Sequence, residues 1–345
     1  MFKKIIPLLF SLSFINAQIA LPTFQAVHKP HTGVVASSLY DFTTHTFTNC
    51  GATGRNGPTL ANCTSSYSDS WTDNTSYFNV PSDAGIQYWT VPETGIYTIE
   101  VWGASGARDD EGFGARMRGD FTLTSGEIIR ILVGQSGGDT GSSQSSGGGG
   151  TFVIKTPYNN TASILVIAGG GGNRNRHTSS PNRSVTDATT SNDGRPGYYN
   201  SSSQNNGGTN GSGGTVAGTN SHAGGSGAGF SGDGEPSLDN RGSCSPSSSI
   251  GALAFTNGGT GGWGNMHNSG GGACDSPQRY GGFGGGASGG HYGCGAGGGY
   301  SGGGGEGRNS STAYAGGGGS YNSDADGDNS SGVWQGHGKV TITKN

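Results

Sequence analysis

Few residue types in this chain are spaced for chemistry. The most suggestive run is Asp324-x-Asp326-Gly327-Asp328, with carboxylates at alternate positions and a glycine for the bend, a pattern that can converge on calcium. It lacks the later bidentate Glu of a complete calcium loop, so a polar turn is the simpler expectation. Asp109, Asp110 and Glu111 fall in one stretch and suit a solvated loop better than a general acid and base. His28 and His31 have no Asp, Glu or Cys cluster beside them to complete a metal site. No nucleophile elbow, HExxH or phosphate loop occurs. The G-x-G-x-x-G matches, such as Gly293 to Gly298, follow no strand and open no helix. Neither catalysis nor a cofactor is expected.

The cysteines and aromatics are more informative. Cys50, Cys63, Cys244, Cys274 and Cys294 include no CxxC pair, which argues against zinc. Their odd number leaves one unpaired, and Cys244, in a Ser/Pro-rich stretch, is the expected one. Trp263, Tyr280, His291, Tyr292, Tyr314 and Tyr321 sit in or beside glycine tracts. A rigid scaffold there would present them to a sugar or a protein by stacking and edge hydrogen bonds; alternatively, they cover the scaffold's outside.

Whatever positions these aromatics must be built largely from glycine. In Gly281 to Gly307, every third residue from Gly281 is Gly or Ala, so one face of a threefold helix would carry nothing larger than a methyl group. A polyproline-II-type helix has three residues per turn and no internal hydrogen bonds, so its amides and carbonyls need neighbours, and glycine lets backbones approach to supply them. A flexible linker has the same composition. Ordering costs ~1–2 kcal/mol per residue against ~0.5–1.5 kcal/mol returned per hydrogen bond, a near balance. Phe283, Tyr292 and Tyr300 within the tract, and the cysteines bracketing it, favour order.

Before the glycines, the chain alternates as strands do. In IYTIEVWG, Tyr97, Ile99 and Val101 share one face; in EIIRILVG, Ile129, Ile131 and Val133 do. GIQYWTV from Gly85 and IYTIEVWG are expected to pair as a hairpin around Pro92 to Gly95. Thr151 to Lys155 and Ser163 to Ala168 add two strands, the second almost wholly apolar. The last residues alternate again, with Val340 and Ile342 inward, so the final strand is expected to return to the sheet. Most of the 73 glycines lie between, from Gly147 onward.

Lys3 and Lys4, an apolar run from Ile5 to Ile15 and Ala17 before Gln18 have the form of a secretory signal peptide cleaved after Ala17. No later run is long and apolar enough to cross a bilayer, so an extracellular or cell-surface location without a membrane span is expected. With 18 basic and 22 acidic residues, the chain carries no footprint for nucleic acid.

Six stretches, CGATGRNGPTLANC (Cys50 to Cys63), GIQYWTVPETGIYTIEVWGASGA (Gly85 to Ala107), ARMRGDFTLTSGEIIRILVGQSG (Ala115 to Gly137), GGGGTFV (Gly147 to Val153), ILVIAGGGG (Ile164 to Gly172) and GHGKVTI (Gly336 to Ile342), together resemble the extracellular glycine-rich region of the anaplastic lymphoma kinase and leukocyte tyrosine kinase receptors, in the same order. The resemblance implies an all-β fold: a jelly-roll-like sandwich similar to tumour necrosis factor, with an inserted bundle of polyglycine II helices. It also implies disulfides Cys50 with Cys63 and Cys274 with Cys294. The chain has no kinase, and the receptors' acidic ligand contacts do not map onto Asp324 to Gln335, so signalling and cytokine binding are not carried over.

The expected organisation is a signal peptide (1–17), an extended lead-in (18–45), sandwich strands (46–168), a polyglycine II insertion (169–332) and a closing strand (333–345). The expected function is a non-enzymatic platform for adhesion or recognition of a glycan or protein, with self-association as a further partner class. The competing expectation is a purely structural matrix or virion-surface component.

Overall fold

A computed structural model describes residues 38–81, 85–107, 112–139, 145–174, 182–200, 203–216, 223–238, 249–264, 279–290, 293–307 and 313–345. The expected signal peptide, most of the lead-in with His28 and His31, the run 109–111, Cys244, Cys274, His291 and Tyr292 lie outside them.

The strands in chain order are β1 (Thr44–Phe47), β2 (Phe78–Asn79), β3 (Gln87–Thr90), β4 (Gly95–Trp102), β5 (Gly114–Leu123), β6 (Ile128–Leu132), β7 (Thr151–Ile154), β8 (Ile164–Ala168), β9 (Gly197–Asn200), β10 (Ser203–Asn205), β11 (Tyr321–Asn322), β12 (Asp328–Trp334) and β13 (Lys339–Lys344). They form an all-β sandwich. One antiparallel sheet has the order β1-β13-β4-β5-β12 and the other β11-β8-β7-β6-β3-β2, while β9 and β10 pair separately. The last strand lies between β1 and β4, with Val340 opposite Val101 and Ile342 opposite Ile99. Strands β11 and β12 also join the sheets, so the chain has re-entered the sandwich by Tyr321, before residue 333.

The alternation in β4, β6 and β13 builds the core. Tyr97, Ile99, Val101, Ile129, Ile131, Val340 and Ile342 are fully buried in one cluster with Trp89, Phe47 and Phe78. Each such side chain contributes roughly 1.5–3 kcal/mol by leaving water. The expected hairpin between β3 and β4 does not form: β3 pairs with β6 and β2, whereas β4 pairs with β13 and β5. Each strand has a single apolar face, and those faces are satisfied by meeting across the sandwich, where the Trp89 and Tyr97 rings pack edge-on at 5.7 Å.

Strands β7 and β8 are buried on both faces. Their second face carries Phe152, Ile154, Ile164 and Ile167, which join Ile86 and Leu132 against Phe230, Phe255, Phe283 and Tyr300 of the glycine-rich region. The glycine-rich region therefore forms a third layer on the six-stranded sheet. A strand covered on both sides reads as a continuous apolar run, which explains ILVIA in β8.

Inside that layer the main chain supplies the packing. The amides of Gly302, Gly303 and Gly304 donate to Ser212, Gly297 and Arg195 in turn, and Gly305 returns to the first neighbour three residues on, at Thr215. Likewise Gly297, Gly298 and Gly299 donate to Gly316, Gly148 and Ala228, and Tyr300 returns at Gly319. Along Gly316 to Gly319 the acceptors are Gly304, Val185, Gly170 and Ser301, so here the returning partner runs backward by three. A three-residue cycle of outward hydrogen bonds is what a threefold extended helix requires, and parallel and antiparallel neighbours both satisfy it.

Two features differ from the sequence expectation. Gly281 to Gly307 is not one rod, because Gly284 and Gly285 have φ of 99° and 81°, the left-handed region, and turn the chain. Beyond that turn, Ala287 donates to Ala296 and Gly290 to Gly293, so the tract doubles back on itself. Nor is crowding confined to one face. A Cβ on Gly297, Gly298, Gly303 or Gly304, all off the expected phase, would lie closer than 3.0 Å to a neighbouring backbone atom. These residues have neighbours on every side.

Candidate recognition surfaces

The disulfide Cys50–Cys63 spans 4.9 Å between Cα atoms and ties the turn after β1 to α1 (Leu60–Ser66). The helix starts in a capping box, in which the Asn62 amide donates to Thr59 Oγ1 at 3.2 Å and the Thr59 amide to Asn62 Oδ1 at 2.9 Å. Cys294 is fully buried beside Ala296 and Ala315, and its expected partner Cys274 lies outside the described residues.

The aromatics chosen from the glycine tracts are dispersed. Trp263 is only 8% exposed and bridges both Ile250 and Tyr280, while the Arg55 guanidinium lies 5.9 Å from the Tyr280 ring. Tyr314 bridges Arg174 and Tyr198. Tyr321 belongs to β11, with its ring 4.9 Å from Tyr300. Of the four candidates among the described residues, Trp263 and Tyr280 are brought together, and burial leaves Trp263 little surface to offer. Tyr280, Tyr314 and Tyr321 are half-buried.

The three aspartates do not converge. Asp324 accepts the amides of Asp120 at 2.9 Å and Asp326 at 3.1 Å, while Asp328 pairs with Arg116 at 2.9 Å. Among the described residues no group of three His, Cys, Asp or Glu side chains could hold a metal ion. The alternate spacing serves a turn whose amides consume the carboxylate.

Three arrangements were not singled out in the sequence. At the edge of β1, a depression of about 290 Å³ is lined by Thr44, His45, Thr46, Ser66, Tyr67, Ser68 and Asp69. His45 Nδ1 lies 2.7 Å from Asp69 Oδ2, and Nε2 is buried with no partner. Burial pushes the His45 imidazole below its ordinary pKa, against the opposing pull of Asp69. Burial likewise pushes the neighbouring Tyr67 hydroxyl up to about 12. With Nδ1–H donating to Asp69, the dyad resembles half of a hydrolytic triad, but no hydroxyl or thiol bonds to Nε2.

On the open outer face of the five-stranded sheet, Lys339 Nζ sits 4.3 Å from the Trp102 ring and 3.9 Å from the Trp334 ring. Beside it, Arg116 pairs with both Glu100 and Asp328. On the other sheet, Arg130 is stacked between Tyr88 and Tyr158. Strand alternation could have found Trp102 and Arg130, since each takes the phase opposite the core-facing residues Tyr97, Ile99 and Val101 or Ile129 and Ile131. Tyr158 and Trp334 come from elsewhere in the chain, and only the fold brings them in.

Among known proteins, a 98-residue stretch, 27% of this chain, is 40% identical to the leukocyte tyrosine kinase receptor of Mus musculus. It spans 11% of that receptor's length. No protein-family model matches the chain. Among the described residues, no helix is long and apolar enough to cross a membrane.

Proposed function

We propose that the protein is an extracellular, non-enzymatic recognition module in which a bundle of polyglycine II helices, inserted into the sandwich between β8 and β11, stiffens a surface for a glycan or protein ligand. The observation that carries this reading is the three-residue hydrogen-bond cycle, repeated along 297–300, 302–305 and 316–319. A lattice of that kind holds its loops rigidly without a large side-chain core, and a preorganised surface loses less entropy on binding. The similarity to a receptor, over a segment too short to include most of that protein, supports an extracellular setting, as does the disulfide. The dispersed aromatics point to surfaces on the sandwich rather than to the glycine tracts.

The test has two parts. Amide exchange on the purified chain should show protection at Gly170, Gly298, Gly303 and Gly318 comparable to that of β4 and β13. A glycan and protein array should then return a saturable ligand. Fast exchange at those glycines would remove the rigid platform. An empty array combined with ordered self-assembly would make the protein a structural component instead.

A further inference from the structure

We propose that Tyr88, Arg130 and Tyr158 form a recognition site for an oxyanion, a carboxylate or sulfate ester carried on an extended sugar chain. This names the ligand chemistry of the recognition role above and rests on it.

Arg130 stands on the outer face of the six-stranded sheet, opposite Tyr88 in register. Its guanidinium carbon lies 4.8 Å from the Tyr88 ring centroid and 3.8 Å from that of Tyr158, which reaches over from the loop after β7. Tyr158 is fixed in turn, because its hydroxyl donates to Ile128 O at 2.9 Å. The stack seals Nε, which is buried and donates to nothing. The two terminal nitrogens are not sealed in, and among the described residues no carbonyl or carboxylate accepts from them. Arg116, by contrast, is committed to Glu100 and Asp328, and Arg195 to the carbonyls of Asp187 and Ser184.

A guanidinium clamped between two rings has already lost its rotamer freedom, and its free end is a planar two-pronged donor. That geometry matches the two oxygens of a carboxylate or sulfate, whereas an ammonium on the same stem would be a point charge.

The surroundings favour a sugar over an acidic peptide. Thr156, Asn159, Asn160 and Thr161 are exposed beside Tyr158 and offer neutral hydroxyl and amide groups. The exposed apolar neighbours there are Pro157, Ala162 and Ile128, the last at 42%, so neutral polar groups outnumber them. On the other side Leu132, two residues from Arg130, is fully buried and lies against Gly259 of the third layer. The stack therefore stands at the foot of a step along which an extended chain can lie.

The test uses the full chain expressed without N-glycans, titrated calorimetrically with four probes. These are a hyaluronan hexasaccharide (carboxylates alone), a sulfated dextran hexasaccharide (sulfate esters alone), neutral dextran, and hexaglutamate. One of the two anionic sugars should bind saturably. Arg130→Lys should weaken it about tenfold or more, the scale of a lost charge-assisted bidentate contact. Tyr158→Leu, which keeps the charge but frees the stack, should give a smaller loss, while Arg118→Lys on the opposite sheet should change nothing. Equal losses from Arg118→Lys, hexaglutamate binding as well as the sugars, or no binding of either anionic sugar would each overturn the proposal. An array ligand indifferent to Arg130→Lys would sink this site and leave the recognition module standing. Thermal unfolding of each variant separates lost binding from lost fold.

Discussion

The sandwich and the glycine-rich layer solve the same problem with opposite materials. In the sandwich, large side chains such as Trp89, Tyr97 and Ile99 meet across about 10 Å of sheet-to-sheet spacing, and the backbones are kept apart. In the glycine-rich layer, backbones touch, and away from the seam the apolar cluster among the described residues is the small set Cys294, Ala296 and Ala315. The first arrangement draws on the hydrophobic effect and tolerates some repacking. The second draws on hydrogen bonds whose net worth is small, and at glycines such as Gly297 and Gly303 it leaves no room for added volume.

That difference predicts its own largest effect. A Cβ on Gly303 would fall inside contact distance of Gly316 O and its carbonyl carbon, and both are backbone atoms that cannot swing away. Gly303→Val should therefore unfold the third layer outright. Gly95→Ala, in β4, should be neutral within about 0.5 kcal/mol, because its nearest prospective neighbour is 3.9 Å off. Far-ultraviolet circular dichroism and chemical denaturation of the pair would check this. Equal stability of the two variants would mean that the close approach is not needed.

A middle-sized effect sits at the seam. Leu132 is fully buried between the six-stranded sheet and the aromatics of the third layer. Leu132→Ala should cost about 2–5 kcal/mol, as core truncations do. Its distinctive outcome is in amide exchange: Gly298 and Gly318 in the layer should lose protection together with β6 and β7. Ile99→Ala, deep in the sandwich, should cost as much while acting first on β4 and β13. If both variants loosened the same amides, the two regions would form one cooperative unit and the contrast drawn above would be of material only.

Much of the sandwich was legible because period-two alternation encodes one buried face, as in Tyr97-x-Ile99-x-Val101. Sheet membership was not legible, since the same alternation suits a neighbour in the sheet and a partner across the core; β3 and β4 took the second option. In the glycine tracts a local threefold phase was visible, but not how many neighbours would surround each segment, so one crowded face was expected where Gly297, Gly298, Gly303 and Gly304 are crowded all round. The turn at Gly284 and Gly285 was hidden because glycine fits helix and turn alike. Candidate aromatics were chosen for lying near glycines, and spacing alone did not show that Trp263 would be buried. The sites at Arg130 and Lys339 join strand residues to distant Tyr158 and Trp334, and one-dimensional spacing cannot encode such pairs.

The smallest expected effect is a pH response at the edge of the sandwich. His45 is held by Asp69 on one side and by the rings of Phe47, Tyr67 and Trp71 on the others, at centroid distances of 4.6, 4.6 and 4.9 Å. Its folded pKa is lowered by burial, so the unfolded chain takes up the proton first as the pH falls. The contribution of neutral His45 is thus fully present above its ordinary pKa of about 6.5 and is lost progressively below it. His337, whose pKa burial also lowers and whose Nδ1 accepts the Ser136 amide at 3.1 Å, adds a response of the same sign. Asp187 opposes both at lower pH, because burial raises its pKa and the folded chain binds that proton first. The urea midpoint should therefore fall between pH 7.5 and pH 5.5, and His45→Gln should flatten part of that slope while leaving the His337 share. A slope unchanged by His45→Gln would mean that the β1 edge opens to water before the imidazole titrates, and the sandwich would then be the looser of the two regions at that edge.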